Sequence, residues 1–315
     1  TVIGRSRIEA AASVVDHNAS APLRSRNNLE KLSGSIPAIK EKRNMTQQDY
    51  RDYLQLNSLN VDAATKTKAI LDLLFEDVKV VGNAAMKRLD FMVLQGLSTG
   101  KVNLSLTNNP DGIVTGDIDL LMPTDNFKTV TEKWSVAASA KPISDIKDIV
   151  EEAEDRGISF EKMLMTRNTF WKLQNATETK EMMAGFYKLG SGQKRVGTLD
   201  EINAMLESNQ FPIIEIVNVN IGIEKNGLIT AVKPFNDTSV SFIPSGKLGI
   251  IHNAVCIEEI TPVANVSYAK YERALISKWA QNDPFSEWTG VELNAFPGID
   301  AIDSIYILDV ETKTV

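Results

Sequence analysis

The sequence predicts a mixed α+β chain organised around one long helix. Three observations carry that prediction. From about Asp62 to Leu97, apolar residues recur at three- and four-residue steps through Ile70, Leu73, Leu74, Val78, Val81, Ala85, Leu89, Met92 and Val93. Further along, stretches of alternating apolar and polar residues lie between turn signals. Short segments with helix start and stop residues separate them.

The helix pattern contains no proline, and Gly82 is its only glycine before Gly96 and Gly100 near the end. At about 1.5 Å per residue it is roughly 50 Å long, a spine on which other elements pack. Lys101–Leu106 and Gly116–Met122 alternate like strands around an Asn-Asn-Pro-Asp-Gly turn. Ser144 is placed to cap a helix through Ile146, Ile149, Val150 and Ala153 that Gly157 closes. A second short helix spans Arg167 to Gln174. Thr198 and Glu201 form a capping box ahead of Ile202, Met205 and Leu206. Val217, Val219, Ile221 and Ile223 alternate with polar residues, and Asn226-Gly227 turns the chain into a return strand, Leu228–Val232. Further strands are expected at 239–243, 248–260 and 303–311.

Composition bounds the function. The 315 residues suit one large or two medium domains. One cysteine, Cys256, excludes an internal disulfide framework, and two histidines, His17 and His252, leave little for histidine-based metal sites. No apolar run reaches the ~20 residues of a membrane-spanning helix. The formal charge is −7, unevenly spread. Residues 1–43 carry eight basic and four acidic side chains, which leaves the remainder at −11. That first segment is rich in Ser, Asn and Ala and has too little apolar surface to fold alone, so it reads as a tail or as an arm that folds against a neighbour. The acidic remainder is a poor surface for gripping DNA. The chain starts at Thr1, which fits maturation cleavage and fits a trimmed chain equally.

Several motifs invite a chemical reading. Gly96-Leu97-Ser98-Thr99-Gly100 matches the serine-hydrolase elbow, but helix and strand occur in the reverse order, and a helix C-cap explains both glycines. Asp117 and Asp119 fall on one face of a strand, where a nucleotidyltransferase would hold Mg²⁺; no phosphate loop precedes them, and two solvated acids outside Ile118 and Leu120 are the simpler account. Gly185 and Gly190 have P-loop spacing, yet Ser191 stands where lysine is required. The stretch Gly190-Ser191-Gly192-Gln193-Lys194-Arg195 is therefore a flexible, basic loop. His252 and Cys256 read as a surface imidazole and a buried thiol. Trp279 and Trp288 read as core residues. No nucleophile–base pair, cofactor cradle or metal set emerges.

The order of segments, and several short motifs, resemble the major capsid proteins of tailed bacteriophages, and more narrowly the lambda-type major capsid protein E family. Arg24-Ser25-Arg26 with Lys40-Glu41-Lys42 on the return resembles that family's extended loop. Lys133-Trp134-Ser135, Pro142 and Asp145-Ile146 resemble its tryptophan-serine segment. Phe242-Ile243-Pro244 with Gly249 resembles its Phe-Leu-Pro turn before a long strand, and Ser277-Lys278-Trp279 followed by Asp283-Pro284, Glu292 and Ala295-Phe296-Pro297 resembles its tail. The resemblance covers roughly residues 20–312; the short arm and the 180–212 region depart from it.

The resemblance implies a Hong Kong 97-type capsid fold: an N-terminal arm (1–21), an extended loop (22–58), a peripheral domain (59–144, with a spine helix at 62–98), an axial domain (145–245) and a return to the peripheral domain (246–315). It implies a non-enzymatic subunit of an icosahedral shell, forming hexamers and pentamers around double-stranded DNA in the host bacterial cytoplasm. Portal, cement and scaffold proteins are the partners it implies; a cofactor, a metal or a membrane is not. Arg24, Arg26, Lys40, Lys42 and Arg43 would make contacts between subunits. Gly190, Gly192, Lys194 and Arg195 would lie near a local symmetry axis. The alternatives are an encapsulin-like nanocompartment shell and a nucleotidyltransferase built on Asp117 and Asp119.

Overall fold

The computed structural model describes residues 2–3, 31–32, 36–48, 51, 63–110, 116–190, 192–225 and 227–313. The first elements are β1 (Val2–Ile3), β2 (Lys31–Leu32), β3 (Ala38–Thr46), helix α1 (Ala63–Thr99), β4 (Lys101–Leu104), β5 (Gly116–Asp119) and β6 (Phe127–Val130). Next come α2 (Pro142–Asp155), β7 (Phe160–Met165), α3 (Arg167–Asn175), α4 (Thr177–Phe186), α5 (Leu199–Ser208), β8 (Ile213–Ile216), β9 (Ile221–Lys225) and β10 (Leu228–Val232). The chain ends with β11 (Ser239–Pro244), β12 (Ile250–Ala254), α6 (Ile257–Ile260), β13 (Ser267–Tyr271), β14 (Ala274–Gln281), β15 (Ser286–Gly298) and β16 (Tyr306–Lys313). The expected long helix is thus one element of 37 residues. Its C-terminus is the one expected: Gly100 takes φ +68° and its N–H donates to Gly96 O at 2.8 Å. Gly96 itself is a packing residue, because a Cβ there would lie 2.7 Å from Leu120 Cδ1.

The described residues divide into two compact units. Among the described residues, the first takes in those of 92–250 and 299–313 with the β1–β2 pair. Its sheet runs β6-β16-β11-β7-β8, with parallel outer pairs and antiparallel inner pairs. Side chains of α2 to α5 pack with it in one core that holds Trp134, Ile146, Met163, Leu173, Met183, Ile202, Phe242 and Tyr306. Each such burial contributes roughly 1.5–3 kcal/mol.

The start of α2 differs from the expectation. Pro142 occupies its first position and Lys141 precedes it without a side-chain cap, so Ser144 lies inside the helix. The free N–H groups are satisfied from another helix: Glu178 Oε2 accepts from Ile143 N at 2.8 Å and Ser144 N at 3.3 Å, and Ser144 Oγ donates to Glu178 Oε1. The other end is as read, with Gly157 at φ +73° and Ile158 N–H donating to Ala153 O. Thr166 caps α3, and Thr198 with Glu201 forms the capping box of α5.

Two strand readings need correction. Only Ile221–Lys225 pairs with Leu228–Val232. Val217 instead donates its N–H to Met165 O, one step past the β7–β8 pairing, and the chain then leaves that sheet. The alternation joined two pieces of different sheets into one apparent strand. Likewise 248–260 is a short strand followed by one helical turn.

The second unit takes in 36–91 and 251–298 among the described residues. Its sheet runs β12-β15-β14-β13, and β3 pairs antiparallel with β15 from Ala38↔Asn294 to Thr46↔Ser286. On β15, Thr289, Val291, Leu293 and Ala295 are buried, whereas Trp288 and Glu292 on the opposite face are half-buried. Helix α1 approaches β13 where Gly82 meets Tyr271, whose hydroxyl donates to Asn83 Oδ1 at 3.0 Å.

A Cβ at Gly82 would lie 2.6 Å from Tyr271 Cδ1. Gly82→Ala should therefore lower stability by about 1–3 kcal/mol, although Ala is better in a helix by ~1 kcal/mol. In a Tyr271→Ala background the same change should be neutral or stabilising; a urea-denaturation double-mutant cycle measures the reversal.

Candidate functional site

Arg24 and Arg26 lie outside the described residues. Lys40, Lys42 and Arg43 lie on β3, where the register sets them opposite Glu292, Gly290 and Thr289 of β15. Lys40 Nζ is 2.6 Å from Glu292 Oε2. That hydrogen bond and the carboxylate charge raise the Lys40 pKa against the opposing effect of burial. Arg43 reaches Asp77 of α1 at 3.5 Å. Lys42 Nζ lies 4.8 Å from the centre of the Trp288 ring, a cation–π contact of about 0.5–1 kcal/mol. All three cations therefore have partners in their own chain. Lys40 and Arg43 keep 59% and 48% of their side-chain surface exposed.

Trp288 is not the core residue expected. Trp279 and Trp288 stand directly opposite on β14 and β15 and stack at 6.1 Å with rings 8° from parallel, both half-buried. Gly290 makes room, since a Cβ there would press on Trp279 at 3.2 Å.

The Gly190–Arg195 loop has an exposed tip and a pinned base. Gly190 and Gly192 are exposed, Gly192 with φ +78° and open space around it. Lys194 pairs with Glu181 at 3.4 Å. Arg195 pairs with Glu201 and lies 3.8 Å over the Tyr187 ring. Glu201 also accepts from Tyr187 Oη at 3.2 Å and from Thr198 N at 2.9 Å. One carboxylate thus caps α5 and holds the loop. Its pKa is lowered, first by the Thr198 N–H and then by Arg195.

The other candidates are structural. Ser98 is 1% exposed; its hydroxyl donates to Gln95 O and accepts from Asn236 N, so it ties the end of α1 to the core and is no nucleophile. Asp117 and Asp119 are exposed, with Ile118 and Leu120 turned inward. Asp117 accepts from Asn103 Nδ2 at 2.7 Å, and Asp119 from Leu121 N at 2.8 Å. No group of three potential metal ligands occurs among the described residues. Cys256 is buried, which pushes its thiol pKa up, and His252 is half-buried with Nε2 enclosed. No described helix is long and apolar enough to cross a membrane.

Two features escape sequence reasoning. Trp134 Nε1 donates to buried Asp145 Oδ2 at 2.8 Å, which gives the tryptophan-serine segment a structural role. Beside it, a groove of about 200 Å³ is lined by Trp134, Ser135, Asn168, Trp171, Lys172 and Asn175, with Trp171 52% exposed. Neither has a spacing signal, because the partners come from separate elements.

The family described as phage major capsid protein E matches residues 5–310. A solved structure assigned as the capsid protein of an E. coli CFT073 prophage is similar, with a TM-score of 0.56 at 14% identity, covering 86% of this chain and 76% of that one. The mature capsid of bacteriophage PhiM1 aligns with a TM-score of 0.42 at 12% identity, covering 98% and 79%. The SrpI encapsulin of Synechococcus elongatus PCC 7942 aligns at 0.38 and 10% identity, covering 92% and 79%. The first of these shows the phage-capsid fold. No curated protein matches the chain.

Because Trp134 donates to Asp145, Trp134→Phe should cost about 1–3 kcal/mol beyond lost packing. Burial, opposed by the Trp134 and Thr131 N–H groups, raises the Asp145 pKa above 3.8. Its favourable contribution is fullest below that value and declines as pH rises through the folded value, so the deficit of Trp134→Phe should be larger at pH 7 than at pH 4. Denaturation curves at both pH values check this.

For the loop the sign is opposite. Glu201 has its ordinary value at 4.5 and a lower one when folded, so the pinning is present above pH 4.5 and fades as pH falls through the folded value. Glu201→Gln keeps a capping side chain but loses the charge. Amide exchange in 187–195 should accelerate at pH 7 while α5 stays protected.

Proposed function

The chain belongs to the phage major capsid protein E family, and from that premise we propose how it builds its shell. It is a structural, shell-forming protein of the phage virion, whose copies assemble into a multi-subunit capsid; the family match over residues 5–310 carries this conclusion. In our reading the shell is an icosahedron of hexamers and pentamers that encloses double-stranded DNA without sequence-specific binding, assembled in the host bacterial cytoplasm. Portal, cement and scaffold proteins are its partners, and the subunit performs no catalysis.

The arm (1–21) and extended loop (22–58) reach over adjacent subunits. Residues 59–144 and 246–315 form the peripheral domain, and 145–245 the axial domain. Charge supports the reading: a +4 segment at 1–43 suits a −11 body on the neighbour, and an acidic body encloses DNA without gluing it to the wall. Exposed apolar side chains support it as well: Trp171, Leu228, Ile229, Ile257 and Ile260 are each more than half exposed. Arg24 and Arg26 meet the neighbour. Lys40, Lys42 and Arg43 join that contact from β3, where their own-chain partners hold the root of the loop. Gly190, Gly192, Lys194 and Arg195 face the local symmetry axis, with the loop's base held at Glu201 and its glycine tip free to adapt to five- and six-fold rings.

A charge-reversal test should spare Lys40, because Lys40→Glu would set two carboxylates opposite each other on β3 and β15. Arg24→Glu with Arg26→Glu should abolish shells in electron micrographs and remove the void-volume peak in gel filtration, while the melting curve of the subunit stays unchanged. Shells of normal size from the double mutant would overturn the proposed contact. Protein cargo instead of DNA in wild-type shells would favour a nanocompartment.

A further inference from the structure

The Trp134–Trp171 groove and the Val255–Val263 segment are complementary in shape class and in charge. At about 200 Å³ the groove is smaller than the ~300–1,000 Å³ of small-molecule sites and fits one or two aliphatic side chains. Its floor includes buried Trp134, and its wall is exposed Trp171. Its polar lining is largely satisfied internally: Lys172 Nζ and Ser135 Oγ both bind Glu311, at 2.7 and 2.8 Å, and Asn175 Nδ2 donates to Trp171 O at 2.9 Å. Lys133 and Arg167, exposed and next in sequence to the lining residues Trp134 and Asn168, add two cations at the rim. Lys133 acts electrostatically on Glu311, which places it beside the groove.

The opposite features meet around α6. Ile257 and Ile260 are 74% and 76% exposed and, three residues apart on one helical turn, share a face. Val255 and Val263 flank them at 60% and 57% exposure. Glu258 and Glu259 lie between the isoleucines; Glu259 pairs with Lys270 at 2.5 Å, and Glu258, half-buried, has no ion pair of its own within 4 Å among the described residues. Apolar area of this kind on a soluble chain marks a contact surface. A tryptophan wall with a charged rim is the composition in which interface energy concentrates.

We propose that in the assembled shell the Val255–Val263 segment of one subunit seats Ile257 and Ile260 in the Trp134–Trp171 groove of a second copy, with Glu258 on the side of Lys133 and Arg167. The contact is heterologous: each copy offers one knob and one groove, so it links successive subunits rather than closing at a dimer. The inference rests on the shell reading above and adds which surfaces meet.

The test is a disulfide across the contact. In a Cys256→Ala background, which removes the native thiol, Trp171→Cys and Ile257→Cys are combined in one chain. Oxidised shells should give a ladder of linked subunits beyond the dimer on a non-reducing gel; each single-cysteine chain should give dimers at most. Normal shells without that ladder would overturn the contact and leave the capsid reading intact. Failure of the wild-type chain to form shells would overturn both. As a second measurement on the otherwise native chain, Ile257→Asp with Ile260→Asp should raise the concentration needed for assembly at least tenfold with the subunit melting curve unchanged. Assembly at the wild-type concentration would overturn the proposal.

Discussion

Within the first unit, the rest of the packing depends on one buried hydrogen bond, from the Trp134 indole to the Asp145 carboxylate. Burying a carboxylate is costly unless donors replace its water. Here the Trp134 Nε1–H and the Thr131 backbone N–H do so, and the acid lies in the first turn of α2, where the helix dipole favours negative charge. The same tryptophan donates its backbone N–H to Val310 O of β16. A single residue therefore ties together the start of a helix, strand β16 of the five-stranded sheet and the floor of a surface groove.

Glu178 and Glu201 follow the same logic. Glu178 caps α2 from α4, and Glu201 caps α5 while it holds Arg195 and Tyr187. Each carboxylate satisfies helix N–H groups that would otherwise depend on water, and each fixes a loop or a second helix as a consequence. In the second unit the corresponding constraint is β15, which pairs with β14 along one edge and with β3 along the other. The Lys40–Glu292 pair and the Lys42–Trp288 contact reinforce the β3 side. A strand drawn from a segment with little apolar surface is thereby held to its own subunit.

A shell subunit is selected for surfaces that find copies of themselves, and that explains what this molecule lacks as well as what it has. Gly96 and Gly100 of its elbow-like motif serve packing and a helix end. Ser98 is buried as a tether, Asp117 is a solvated cross-strand partner of Asn103, and Asp119 accepts from Leu121 N. Apolar side chains that an isolated globular protein would bury remain in the open at Trp171, Ile257 and Ile260.

Local features were legible in the sequence because their causes are local. The period of α1, the glycine after its end, the Thr198–Glu201 box and the pairing of Ile221–Lys225 with Leu228–Val232 each depend on residues within a few positions of one another. The family was legible from the order of its motifs. What the sequence could not determine was set by partners far apart in the chain. The cap of α2 comes from a residue 35 positions away, Glu178 to Ile143. The break after Val217 follows from where β7 ends, and the Trp279–Trp288 stack follows from the β14–β15 register. The groove at Trp171 exists only because Trp134 and α3 meet. Tertiary structure decided these, because a hydrogen bond or a ring contact depends on distance in space, and sequence spacing encodes that distance only within a turn or a hairpin.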